Sequence, residues 1–270
     1  LIVTDLHPEV APQRVIWGTD DVIEDLPIWG MAGDRFHRPV RLSGDQEMSE
    51  YTGGVMAIDP SGRGKDETAW AIAKILNATV FIPDFGGYLA GFEDTTLRAL
   101  AESAKQWRVN AIRVETNFGD GMFEQLLKPH LRAVKHPCQI ISERSSGQKE
   151  RRVCDILEPL MNQHRLVIDT NALRRDAAPR DGMGEEAAMQ YRFAYQASRI
   201  TRQRQCLQHD DRIEVIAMAA GYWVEHLAQT AEEAMALEED SDMDDVIRNW
   251  APPPSGSNWT NEYIPSYMRR

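Results

Sequence analysis

An α/β fold, a mixed sheet flanked by helices, is what this 270-residue sequence predicts, and three observations predict it. Short β-type segments alternate with helical patterns from Gly53 to about Gln229. The first three segments follow one another through short turns, as in an antiparallel meander, and the later ones alternate with helices. The composition, 42% hydrophobic and 27% charged, is that of a chain able to bury a full core.

Each element has its own local reason. Gly54-Val55-Met56-Ala57-Ile58 is an apolar run that stops at Asp59-Pro60, so it reads as a buried strand followed by the turn Ser61-Gly62-Arg63-Gly64-Lys65. Glu67 to Ile75 puts Trp70 and Ile72 on one face and the small Ala69, Ala71 and Ala73 on the other. Thr79 to Ile82, before Pro83, is the third strand. Asp94 or Thr95 can cap a helix whose Leu97, Leu100, Ala101 and Ala104 recur at helical spacing. There follow a strand over Ala111 to Thr116, a helix from about Gly121 to Val134, a strand over Cys138 to Ile141, a helix near Glu150 to Gln163 and a strand over Leu166 to Ile168. An irregular basic stretch with Arg174, Arg175 and Arg180 precedes the last helices. In the final one Ile213, Ile216, Ala217, Ala220, Val224 and Leu227 form one apolar stripe.

This strand and helix order is that of ribonuclease H-like folds, and the carboxylates fall where such a fold needs them. Asp59 ends the first strand, Glu115 ends the fourth, and His209-Asp210-Asp211-Arg212-Ile213-Glu214 opens the final helix. Asp210, Asp211 and Glu214 share an arc of roughly 100° beside the apolar stripe at 3.6 residues per turn. Taken singly, each acid has an ordinary explanation: a turn residue before proline, a solvated strand end, a helix cap. Together they repel one another unless cations neutralise them, and hard cations such as Mg2+ or Mn2+ prefer oxygen ligands. Two such ions can activate a water and stabilise the leaving oxygen in phosphodiester hydrolysis.

The formal charge of −12 hides an uneven distribution. Ten of the 42 acids lie between Ile213 and Ile247, where there is no Lys or Arg. Between Ala101 and Arg212 there are 19 Lys and Arg against 15 Asp and Glu, so the middle of the chain can present a basic surface. Arg63 and Lys65, directly after Asp59, are candidate contacts to DNA phosphates, as are Arg144, Lys149, Arg151, Arg152, Arg174 and Arg175. Solvated turns and loops explain the same residues in the absence of DNA. Asp120 reads as a helix cap, Asp84 and Asp169 as spectators after short strands, and Trp70 and Phe81 as core.

The residues from Val55 to Trp70, Ile112-Arg113-Val114-Glu115-Thr116-Asn117-Phe118-Gly119-Asp120-Gly121 and His209 to Glu214 resemble the nuclease domain of phage large terminase subunits, the DNA-packaging motors, most closely those of T7-like podoviruses. The resemblance extends over about residues 53 to 230. It implies a ribonuclease H-like fold and a metal-dependent endonuclease that cuts concatemeric viral double-stranded DNA in the host cytoplasm. It also implies an ATPase motor domain in the same full-length chain, and the phage portal and small terminase subunit as partners. By matching position Asp59 and Glu115 become metal ligands for Mg2+ or Mn2+, a pair of ions, and Asp211 the favoured third acid. Many relatives have Asp-Asp-x-x-Asp in the last motif where this chain has Glu214, so Asp210 and Glu214 stay open as ligands. The turn Gly62 to Asp66 is not a phosphate loop, because it lacks the first glycine and the Ser or Thr after Lys65.

Three regions follow: residues 1–52 as an arm or linker from a preceding motor domain, 53–230 as the nuclease domain and 231–270 as an acidic, then aromatic tail that docks a partner or shields the basic surface. The first residue is not Met, which fits a piece excised from a longer protein. No segment has the roughly 18 apolar residues of a membrane span, and Leu1 to His7 lacks the character of a signal peptide. Cys138, Cys154 and Cys206 are odd in number and widely spaced, which fits free thiols in a reducing compartment. Two rivals to the nuclease remain: a non-catalytic portal-docking module, which needs no convergent acids, and a Holliday-junction resolvase-like or transposase-like nuclease, which predicts an obligate dimer or added DNA-binding domains.

Overall fold

The computed structural model describes residues 1–26, 35–40, 47–61, 67–89, 91–116, 121–144, 147–180 and 182–229. The chain divides into a unit Leu1–His226 and a unit Leu227–Arg270, and of the second only 227–229 are described. The elements are β1 (Ile2–Thr4), β2 (Val10–Pro12), β3 (Met48–Glu50), β4 (Gly53–Asp59), β5 (Thr68–Leu76), β6 (Thr79–Tyr88), α1 (Asp94–Gln106), β7 (Ala111–Glu115), α2 (Met122–Ala133), β8 (Gln139–Glu143), α3 (Lys149–Asn162), β9 (Leu166–Asp169), α4 (Thr170–Ala177), α5 (Glu185–Met189) and α6 (Phe193–Arg199), followed by a helix α7 over 211–229.

Seven strands form one mixed sheet in the order β1-β9-β6-β5-β4-β7-β8, and β2 pairs with β3 in a small ribbon. Only β5 runs against its neighbours. The carboxyl ends of the other six strands therefore lie along one edge, where α/β sheets place their ligand-binding groups. Side chains alternate across the sheet. Val55, Ala57, Ala69, Ala71 and Ala73 face Val153 and Leu157 of α3 and Ile213, Ile216, Ala217 and Ala220 of α7. Met56, Ile58, Trp70 and Ile72 face Leu97 and Leu100 of α1 and Phe123 and Leu127 of α2. The alanines on β5 leave room for α7 to lie close to the sheet, and the Trp223 indole N–H donates to the Ala73 carbonyl at 3.1 Å.

Four expectations are corrected. Within the segment expected as an arm, the described residues pack on the body: β1 is the edge strand of the main sheet, in register Ile2↔Val167 to Thr4↔Asp169. Ile2, Val3, Ile23, Leu26 and Phe36 are buried, and apolar burial of this kind ties a segment to the body. The third strand does not stop at Pro83. The ladder between β5 and β6 shifts register between Ile72 and Lys74, so Pro83, which has no N–H to donate, falls in the irregularity and the strand continues to Tyr88. The stretch around Arg174 and Arg175 is helical, because the Asp169 side chain caps α4 by accepting the Ala172 N–H at 2.9 Å. Finally, the α7 stripe packs only as far as Ala220, and Val224 and Leu227 are exposed.

Candidate metal centre

The geometry of the sheet brings Asp59 and Glu115 together. β4 and β7 are parallel neighbours paired through Ile58↔Val114, so the two acids, each one residue further on, end adjacent strands on the face covered by α7. Asp210, Asp211 and Glu214 lie at the start of that helix, and the Glu214 N–H bonds the Asp210 carbonyl in its first turn. Among the described residues Asp59, Glu115 and Glu214 form the group whose carboxylate oxygens lie within 4.8 Å of one another. Asp210 and Asp211 stand outside that group. Asp211 is half-buried, yet near enough for its charge to act on Asp59.

Electrostatics show what this convergence costs. Burial pushes the Asp59 carboxyl well above its usual range, and the charges of Glu214 and Glu115 push it further. Burial likewise raises Glu214, while Lys149 pulls it back. Two cations reach into the cluster from α3. The Lys149 ammonium lies 2.9 Å from Asp210 and pairs with Glu214, and Arg152 lies 2.6 Å from Glu214 and 4.0 Å from Glu115. Although burial works against its charge, Glu214 and Asp210 hold the Lys149 ammonium above its ordinary value. Five acids against two cations leave Asp59 under pressure to stay protonated. A hard divalent cation would relieve that pressure, and an all-oxygen donor set is the kind such ions take.

The proposed DNA contacts divide. Arg144, after β8, and Arg151, in the first turns of α3, are exposed and make no ion pair among the described residues. Lys149 and Arg152 are engaged by the acids, Arg174 lies 2.6 Å from Asp25 and Arg175 lies 2.5 Å from Asp84. Arg63, Lys65, Asp120 and the tail after residue 229 lie outside the described residues. Asp84 and Asp169 prove structural: Asp84 also accepts from the Trp107 indole at 3.2 Å, and Asp169 accepts the Leu6 N–H at 2.8 Å. His209 stacks on Tyr191 with ring centroids 3.9 Å apart. Trp70 and Phe81 are core, and the three cysteines are free thiols.

Two buried networks beside the centre were not legible in the sequence. Arg113, buried two residues before Glu115, pairs with Glu143 of β8 and donates to the Met218 carbonyl of α7 at 3.3 Å. Arg212, flanked by the motif acids, holds Glu67 bidentately at 3.1 and 3.3 Å and also pairs with Asp176 of α4. Arg180 closes the second network on Glu67. The only hint in the sequence was an arginine inside an otherwise apolar strand and another inside an acidic motif.

A seven-stranded mixed sheet with helices on both faces and acids at the ends of β4, β7 and the start of α7 defines a ribonuclease H-like domain. A family model described as the ribonuclease H-like domain of the bacteriophage T7 terminase matches residues 58–166. The terminase large subunit of Enterobacteria phage T3 is 38% identical over 235 residues, covering 86% of this chain and 39% of that protein. The chain belongs to the phage terminase large-subunit family, and it spans well under half the length of that relative. Similar solved structures include the human cytomegalovirus terminase nuclease domain, Mn-soaked and inhibitor-bound, at 13% identity and TM-score 0.47, covering 64% of this chain and 82% of that one. Another is the nuclease domain of the large terminase subunit of bacterial virus Sf6, at 13% identity and TM-score 0.40, covering 63% and 88%.

Proposed function

We propose that this domain is a metal-dependent endonuclease that cuts concatemeric double-stranded DNA for a viral packaging motor. The observation that carries the reading is the convergence of Asp59, Glu115 and Glu214 at the carboxyl edge of the sheet. These three, with Asp210 and Asp211 beside them, would hold Mg2+ or Mn2+, and Glu214 replaces Asp211 as the favoured third ligand. When bound, a pair of such ions supplies activation of the attacking water and neutralisation of the leaving oxygen. The chain's own residues fix the carboxylates: β4 and β7 set Asp59 and Glu115 in register, and Lys149 and Arg152 hold the Glu214 carboxylate from both oxygens. Arg144 and Arg151 would take DNA phosphates directly, whereas Lys149, Arg152, Arg174 and Arg175 would first have to exchange a carboxylate for a phosphate.

The family context supports further parts of the reading: an ATPase motor domain in the full-length chain, the portal and small terminase subunit as partners, and action in the host cytoplasm. Among the described residues no helix is long and apolar enough to cross a membrane. Residues 231–270 would dock a partner or shield the basic face. The decisive experiment is nicking of supercoiled plasmid with Mn2+ or Mg2+, stopped by EDTA and by Asp59→Asn. Glu214→Gln should lose both cutting and metal affinity, with Asp211→Asn affecting them less. A chain that binds neither ion and leaves plasmid intact would favour the portal-docking module, and cutting confined to four-way junctions would favour the resolvase-like nuclease.

A further inference from the structure

At the edge of the sheet opposite the acidic centre, a cleft of about 170 Å3 is lined by Glu9, Glu50, Tyr51, Lys74, Arg108 and Asn110, among others. It lies beside the first residues of β4, roughly 17 Å along that strand from Asp59 at about 3.3 Å per residue. At roughly 30 Å3 per water it has room for several water molecules or one small ion.

Lys74 is the unusual member. It is 4% exposed, and the sheet makes space for it: Lys74 pairs across the ladder with Gly54, where an added Cβ would lie 2.9 Å from the Lys74 Nζ. Among the described residues no carboxylate meets this ammonium. Of its three donors one reaches the Arg108 carbonyl at 3.3 Å, and the Tyr51 ring centroid lies 5.5 Å away. Tyr51 holds its own hydroxyl buried with no hydrogen-bond partner among the described residues. The acids of the cleft do not answer the lysine: Glu9 is committed to Arg108 at 2.5 Å, and Glu50 is exposed. A buried ammonium without a counter-charge is costly. Burial, with the nearby Arg108 charge, brings Lys74 down to about 8.

We propose that this cleft is a binding site for one small oxyanion, a phosphate or a carboxylate, held by the Lys74 ammonium with the Tyr51 hydroxyl as second donor. Both residues line the one cleft. The Asp169 charge acts on the Tyr51 hydroxyl, whereas no carboxylate among the described residues meets Lys74, so an oxyanion would supply the counter-charge that the ammonium lacks there. The site is separate from the acidic centre, so it stands whether or not the nuclease reading does.

The test is titration of the intact chain, in EDTA, with inorganic phosphate and separately with acetate, followed by calorimetry. Saturable one-site binding is expected, weakened about tenfold or more by Lys74→Met, the loss of a charge-assisted hydrogen bond. Tyr51→Phe should weaken it less, and Asp59→Asn should leave it unchanged. The tighter of the two anions assigns the site to phosphate or to carboxylate. Absence of saturable binding, or binding that survives Lys74→Met, overturns the proposal. Should Lys74→Met fail to fold, 13C-methylated lysines of the unsubstituted chain decide: phosphate or acetate must move the Lys74 methyl resonance, and a resonance indifferent to both overturns the site.

Discussion

Two clusters of buried charge flank the first turn of α7, and they are built on opposite rules. Arg212 turns toward Glu67 and Asp176, with Arg180 completing the set, so two carboxylates meet two guanidiniums. Burial raises Glu67 and Asp176, and Arg212 pulls both back. Around Glu214, two positions on, Asp59, Glu115, Asp210 and Asp211 outnumber Lys149 and Arg152. A matched network is a structural tie, while an excess of one sign in a buried place is a site waiting for a counter-ion. The same helical turn thus anchors itself with one arginine and presents acid with its neighbours.

The sharpest way to break this contrast is Asp59→Asn. Metal-dependent plasmid cutting should fall to less than about one hundredth, since several kcal/mol of charge stabilisation are lost. Thermal unfolding without metal should show stability unchanged or higher, because a repelling carboxylate is gone. Arg212→Ala should do the reverse. Leaving Glu67 and Asp176 without their shared partner should cost about 3–5 kcal/mol in denaturant unfolding. A loss below 1 kcal/mol, a figure typical of exposed pairs, would show that the network is not the tie it looks like.

pH separates the two clusters further. Asp59 and Glu214 have folded-state pKa values raised above their unfolded values, so in the window between the two the folded chain binds more protons. Their contribution to stability is therefore fully present below the usual carboxylate range and is lost as pH rises through the raised values. Unfolding measured across this window should show stability falling with pH, less steeply in Asp59→Asn and less steeply with Mn2+ present. The share from Glu67 and Asp176, which are raised as well, should ignore Mn2+. The smallest effect belongs to the surface: Arg151→Ala should weaken duplex binding only modestly and lower its salt dependence by about one phosphate contact. An unchanged salt slope would remove Arg151 from the DNA face.

Much of this was legible in the chain because it depended on local pattern. The run Val55 to Ile58 stopping before Asp59-Pro60, the alternation of Trp70 and Ile72 with three alanines, and the helical spacing of Leu97, Leu100 and Ala104 each fix an element with little help from elsewhere. β1 was not legible. Three residues, Ile2 to Thr4, carry too little periodicity to announce a strand, and only the exposed edge of β9 makes them one. Nor was the path of β6 through Pro83, since a register shift belongs to two strands and not to one.

The sequence by itself determined the class of fold, the order of its elements and the three places where acids accumulate, because burial pattern and turn chemistry act over a few residues. Which acid of the last motif joins Asp59 and Glu115 was decided only by the tertiary structure. The motif puts Asp210, Asp211 and Glu214 within about 100° of one another on a helix, which leaves all three possible. The packing of Ile213, Ile216 and Ala217 against the alanine face of β5, together with the pull of Lys149 and Arg152, fixes the rotation of α7 and brings Glu214 to the pair. The commitment of Lys149 and Arg152 to that carboxylate instead of to solvent was settled the same way, since a charge finds its partner through space and the sequence records only its own neighbours.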